Sequence, residues 1–65
     1  MFANLEAEQS RARMTDETVS RLLGMSRPTY TEKKKRGSFK VRECFMLCKL
    51  FGCTFEYLFK ADQEA

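Results

Sequence analysis

Ser26, Arg27, Pro28 and Thr29 open a segment that closes on Lys33, Lys34, Lys35 and Arg36, and here the chain concentrates the groups able to hold anions. An arginine fork donates paired hydrogen bonds to a phosphate or a base edge, while lysine ammoniums neutralise phosphates as point charges. The charge is local. Residues 26–40 carry Arg27, Lys33, Lys34, Lys35, Arg36 and Lys40 against Glu32, a net of +5, whereas residues 1–25 and 41–65 each come to −1. A patch of this kind attracts polyanions through counterion release, which the same charge spread evenly would not do.

Two helices are needed to present these residues. Thr15 is placed to cap the first, with Asp16 and Glu17 in the opening turn where the helix dipole favours anions, and Val19, Leu22 and Leu23 follow at helical spacing as its buried face. Gly24 supplies the positive φ that ends it, and Met25 packs back. The next helix starts at Ser26 or Arg27, because Pro28 is tolerated only in a first turn. It is predicted to run over 27–35, with Tyr30 turned to the core and Arg27, Thr31 and Glu32 turned outward. Two short helices about a glycine turn are the layout of a helix-turn-helix DNA reader.

The rest of the chain supplies the scaffold. A polypeptide of 65 residues is predicted to form one domain, too small for an enzyme cleft. It has no histidine, and no serine or cysteine has an evident base beside it, so no enzyme activity, cofactor or metal is expected. A first helix is predicted over 3–12, polar on the side bearing Glu6, Gln9 and Arg13. Phe39 plugs the core. Val41, Cys44, Phe45, Leu47, Cys48, Leu50 and Phe51 make a fourth helix over 40–51, expected to be the central and most buried one. Thr54 caps a fifth over 55–59 with Leu58 inward, and the polar tail 60–65 is expected to fray. Of Phe55, Tyr57 and Phe59, one or two must stay exposed, either capping the core or forming a two-fold contact. Cys44, Cys48 and Cys53 read as reduced, small apolar core residues. With no export signal or long apolar run in view, a cytoplasmic chain that makes no membrane contact is expected.

The run from Leu23 to Tyr30 and the closing run from Leu50 to Phe59 resemble the Cro and phage-repressor class of helix-turn-helix domains, the xenobiotic-response-element family. The likeness covers about Asn4 to Lys60, most like the short Cro-like or prophage-type regulators. It implies an all-α, compact five-helix lambda-repressor-like bundle that binds double-stranded DNA, as a homodimer on a palindromic operator with half-sites about 34 Å apart. It also implies a recognition helix whose base-reading candidates are Arg27, Pro28, Thr31 and Glu32, with Thr15, Ser26, Thr29, Lys35, Arg36 and Lys40 on phosphates. Asp16 stands where many members carry a glutamine that touches the DNA backbone, so that contact is expected to be lost. Lys33 and Lys34 occupy a turn that an aliphatic residue usually anchors, so the recognition helix is expected to sit loosely. Ser20 replaces a common alanine and is expected to bond back to the preceding turn. The alternative is the same fold used as a protein-binding module, an antirepressor or partner-regulating protein with Phe55, Tyr57 and Phe59 as its surface.

Overall fold

Three side-chain caps and three left-handed glycines set the boundaries of the helices in the computed structural model, which describes residues 2–60. The described chain is all-helical: α1 is Ala3–Arg11, α2 Asp16–Leu23, α3 Arg27–Arg36, α4 Val41–Phe51 and α5 Phe55–Leu58. The hydroxyls of Thr15, Ser26 and Thr54 each accept the backbone N–H three residues on, which satisfies one donor that a helix start leaves open. Gly24, at φ 75°, turns the chain out of α2 so that α3 begins after three residues. The predicted fraying of 60–65 lies outside the described residues except at Lys60.

Leu5, Val19, Leu23, Tyr30, Leu47 and Leu58 form the core, so every helix contributes at least one buried apolar side chain. Phe39 closes one end, as expected, packing with Phe2, Tyr30 and Phe59 at ring separations of 5.7 to 6.3 Å. Tyr57 ties α5 to α1 twice: its carbonyl accepts from Asn4 Nδ2 at 2.8 Å and its hydroxyl donates to Glu8 at 2.9 Å.

Three expectations about burial do not hold. Gln9 is buried, not on the polar side of α1, because its amide joins a polar network with Tyr30 and Asp16. Leu22 is exposed, since Val19 and Leu23 alone reach the core from α2. The fourth helix is not the most buried. Among its apolar residues only Leu47 is fully enclosed, while Val41 and Phe45 are 71% and 65% exposed. A fold this small buries only about 60% of its surface, and a four-residue α5 is too short to cover the outer side of α4.

Candidate nucleic-acid interface

The outer tip of α3 is open on all its leading residues. Ser26, Arg27, Pro28 and Thr29 are exposed, and the Ser26 hydroxyl both accepts from the Thr29 N–H and donates to Thr29 Oγ1 at 2.8 Å. Pro28 in the first turn has no N–H to leave unsatisfied, so the tip keeps helical geometry without a backbone partner beyond it. Thr15 lies exposed at the start of α2, its hydroxyl already occupied by the Thr18 N–H.

The basic run behind the tip divides in two. Lys33 turns to α4, where its ammonium reaches both oxygens of the buried Glu43 at 3.0 and 3.2 Å. Lys34 turns to α1 and α2 and is buried. Its ammonium lies 2.7 Å from Asp16 Oδ1 and 2.8 Å from Glu6 Oε2, and 5.0 Å from the centre of the Tyr30 ring. These two lysines neutralise internal carboxylates and leave the outward patch. Arg36 stays outside but pairs with Glu32 one turn earlier, an exposed pair of the weakly stabilising kind. Arg27, Lys35 and Lys40 are exposed, and no carboxylate among the described residues pairs with them.

Asp16 is the node that seats α3. Besides Lys34, its carboxylate accepts from Gln9 Nε2 at 2.8 Å and from Thr31 Oγ1 at 2.8 Å, and Gln9 in turn accepts from the Tyr30 hydroxyl at 2.8 Å. Burial alone would raise its pKa, but the hydrogen bonds from Lys34, Gln9 and Thr31 and the Lys34 charge prevail, holding it at about 2 against an ordinary 3.8. Burial, reinforced by the charges of Asp16 and Glu6, pushes the Tyr30 phenol up, so it stays a proton donor to Gln9.

The network corrects the expectation of a loosely seated helix. No buried polar side-chain atom among the described residues lacks a partner, so the ion cluster replaces an aliphatic anchor without an unpaired group. Thr31 is likewise not fully outward, being half-buried with its hydroxyl turned to Asp16. Helical spacing carried a signal for this, because Lys33 and Lys34 stand three and four residues after Tyr30 and share its side of α3. One turn beyond Asp16 in α2, Ser20 donates back to the Glu17 carbonyl at 2.8 Å, as its sequence position suggested.

Glu43 performs the matching task at the entry to α4. It accepts from the Lys40 backbone N–H at 2.9 Å, one half of a capping box, as well as from Lys33. Burial would raise its pKa, but those hydrogen bonds and the charges of Lys33 and Lys40 lower it overall. The Lys40 backbone is thereby fixed at the start of α4, with its side chain exposed.

Of the C-terminal candidates, Phe55 and Tyr57 stay exposed while Phe59 turns inward, its ring 5.1 Å from that of Phe55. Phe59 is half-buried against Phe2 and Phe39, Tyr57 is bound to Glu8, and Phe55 is 53% exposed. Cys44, Cys48 and Cys53 are free and half-buried, Cys48 and Cys53 packing against the core as expected and Cys44 not, and burial pushes the Cys44 and Cys48 thiols up. Among the described residues no cluster of side chains is arranged to hold a metal ion, and no helix is long and apolar enough to cross a membrane. Compared with protein-family profiles, characterised proteins and solved structures, the chain matches none.

Proposed function

We propose that this chain is a sequence-reading, double-stranded DNA-binding regulator of transcription that lays the N-terminal end of α3 in the major groove. Arg27 is the base reader, since its fork of donors meets the O6 and N7 of guanine together, worth about 1–3 kcal/mol of discrimination. Thr31, with its hydroxyl proton given to Asp16, keeps its methyl and lone pairs for a neighbouring base. Glu32 orients Arg36. Lys35, Lys40, Ser26 and Thr29 meet phosphates and fix register without reading sequence.

One observation carries this reading: an exposed tip whose Arg27 pairs with no carboxylate among the described residues, on a helix whose inner side is fixed by Lys34, Asp16 and Tyr30. Fixing the helix before binding removes an ordering cost that a loosely held reader would meet on the duplex. The diversion of Lys33 and Lys34 leaves few phosphate partners, so affinity should be modest and its salt dependence shallow.

Selection from random duplexes tests the reading. The chain is expected to enrich a defined motif, Arg27→Ala to lose preference at one position of it, and Lys35→Ala to weaken all sequences alike and lower the salt slope by about one. Absence of enrichment at low salt would refute it.

A further inference from the structure

Cys48 and Cys53 meet at the C-terminal end of α4. Gly52, at φ 65°, turns the chain back there, and the Cys53 N–H donates to the Cys48 carbonyl at 3.1 Å, the closing bond of a helix that ends on a glycine. In this motif the two side chains that flank the bond commonly touch. Here both are half-buried, pack against the core and line one open hollow of about 530 Å³ with Phe45 and Lys49. Both are free thiols, and the DNA reading uses neither.

We propose that Cys48 and Cys53 are a dithiol that exchanges with a small-molecule disulfide and closes an intramolecular bridge at the joint between α4 and α5. The backbone bond sets the reach. With standard bond lengths on either side of a 3.1 Å hydrogen bond, the two Cα atoms lie no more than about 7 Å apart. A disulfide usually spans about 4.4–6.8 Å between Cα atoms. Cys44 provides the contrast, since it stands one helical turn before Cys48, where side chains keep their Cβ atoms about 5–6 Å apart. A disulfide needs about 3.5–4.5 Å between Cβ atoms. The bridge therefore joins Cys48 to Cys53 and leaves Cys44 out.

The exchange balances with no other reactant. A thiolate of the pair attacks one sulfur of the small disulfide, forming a mixed disulfide and expelling one small thiolate. The second cysteine then attacks the first cysteine's sulfur and expels the other. Two protein thiols are oxidised to one disulfide, the small disulfide is reduced to two thiols, and the cysteine protons pass to them. Burial pushes the Cys48 thiol up, so its thiolate fraction is small, but a step within one molecule tolerates this because the two sulfurs are already held together. The Lys49 ammonium beside the hollow favours the thiolate and draws in an anionic disulfide such as oxidised glutathione. The bridge stiffens the approach of α5 to the rest of the fold, which Tyr57 makes through its bonds to α1 and Leu58 through the core.

The inference stands apart from the DNA reading and is tested on the full chain without DNA. The dilute, reduced chain is equilibrated with mixtures of oxidised and reduced glutathione, blocked by alkylation and cut with trypsin, which cleaves after Arg42, Lys49 and Lys60. Peptides 43–49 and 50–60 of the unmodified chain are expected to be joined through Cys48 and Cys53, with Cys44 outside the bridge, a readout that no variant's folding can obscure. Cys44→Ser should keep the bridge, whereas Cys48→Ser and Cys53→Ser should each stop at a glutathione adduct on the remaining member of the pair. The equilibrium constant for closure should fall at least about tenfold in concentrated urea, and the bridged chain should melt at least about 5 °C above the reduced one, two measures of a single coupling between bridge and fold. Adducts without a bridge in the unmodified chain, a bridge that uses Cys44, or closure as favourable in urea as in the folded chain would overturn the proposal.

Discussion

Asp16→Asn removes the negative charge on which the seating of α3 depends and keeps the shape of the side chain. The Asp16 side chain is 21% exposed and its carboxyl is held at about 2 against an ordinary 3.8. A difference of that size corresponds to about 2 kcal/mol in favour of the folded state at neutral pH. A domain of this length has a total stability of roughly 3–10 kcal/mol, so the substitution removes a large share. At a urea dependence of about 1 kcal/mol per molar, the unfolding midpoint should fall by about 2 M.

The pH dependence gives a second, independent reading of the same interaction. Because the folded-state pKa is depressed, its contribution is fully present above the unfolded value of 3.8 and is lost as pH falls through about 2. The asparagine variant has no such titration. The gap between the two urea midpoints should therefore hold from pH 7 to about 4 and close towards pH 2. Glu43 also favours the folded state at neutral pH, but it titrates in both proteins and leaves their difference unaffected. Equal midpoints at pH 7, or a gap that persists unchanged to pH 2, would refute the assignment of Asp16 as the node.

Glu43→Gln should destabilise the chain by about 2–4 kcal/mol in urea titrations, because it leaves the Lys33 ammonium, only 17% exposed, without a counter-charge. A loss under about 0.5 kcal/mol would mean that Lys33 finds water instead. Arg13→Gly should stabilise, raising the thermal midpoint by several degrees. Arg13 sits at φ 58° just past α1, where a side chain costs roughly 1 kcal/mol that glycine does not.

The boundaries of the helices were legible because they depend on local chemistry. Thr15, Ser26 and Thr54 cap through their own next turn, and Gly24, Gly37 and Gly52 end helices through their own φ. What periodicity cannot supply is whether anything lies opposite a given face. Leu22, Val41 and Phe45 have the spacing of core residues and yet face outward, since five short helices leave no element to cover them. The fate of the basic run was hidden for the complementary reason. Lys34 is buried because partners from α1 and α2 meet it, and Asp16, the nearest of them in distance, lies 18 residues away in sequence. A composition count sees a net of +5 over residues 26–40. Among the described residues Arg27, Lys35 and Lys40 are exposed with no carboxylate paired to them, and Arg36 lies beside Glu32.

The choice of ions over an aliphatic anchor at this helix contact is an argument about geometry more than about energy. A buried ion pair contributes little net stability relative to apolar groups of similar volume, and its replacement is often neutral or stabilising. Apolar side chains, however, tolerate sliding and rotation, whereas the donors of Gln9, Tyr30, Thr31 and Lys34 are all satisfied together in one orientation of α3. On this hypothesis Asp16→Asn combined with Lys34→Met should regain most of the stability lost by Asp16→Asn alone, because the Lys34 ammonium, which Asp16→Asn leaves with only the half-exposed Glu6 as counter-charge, is gone. The orientation of α3 should nevertheless loosen, seen as faster amide exchange from Tyr30 to Lys35 and as blurred base preference in duplex selection. If the double variant kept the amide protection and base preference of the unmodified chain, the ions would be dispensable for orientation and the hypothesis would fail. If it stayed as unstable as Asp16→Asn, the loss would arise from the Asp16 hydrogen bonds to Gln9 and Thr31, not from a stranded charge on Lys34.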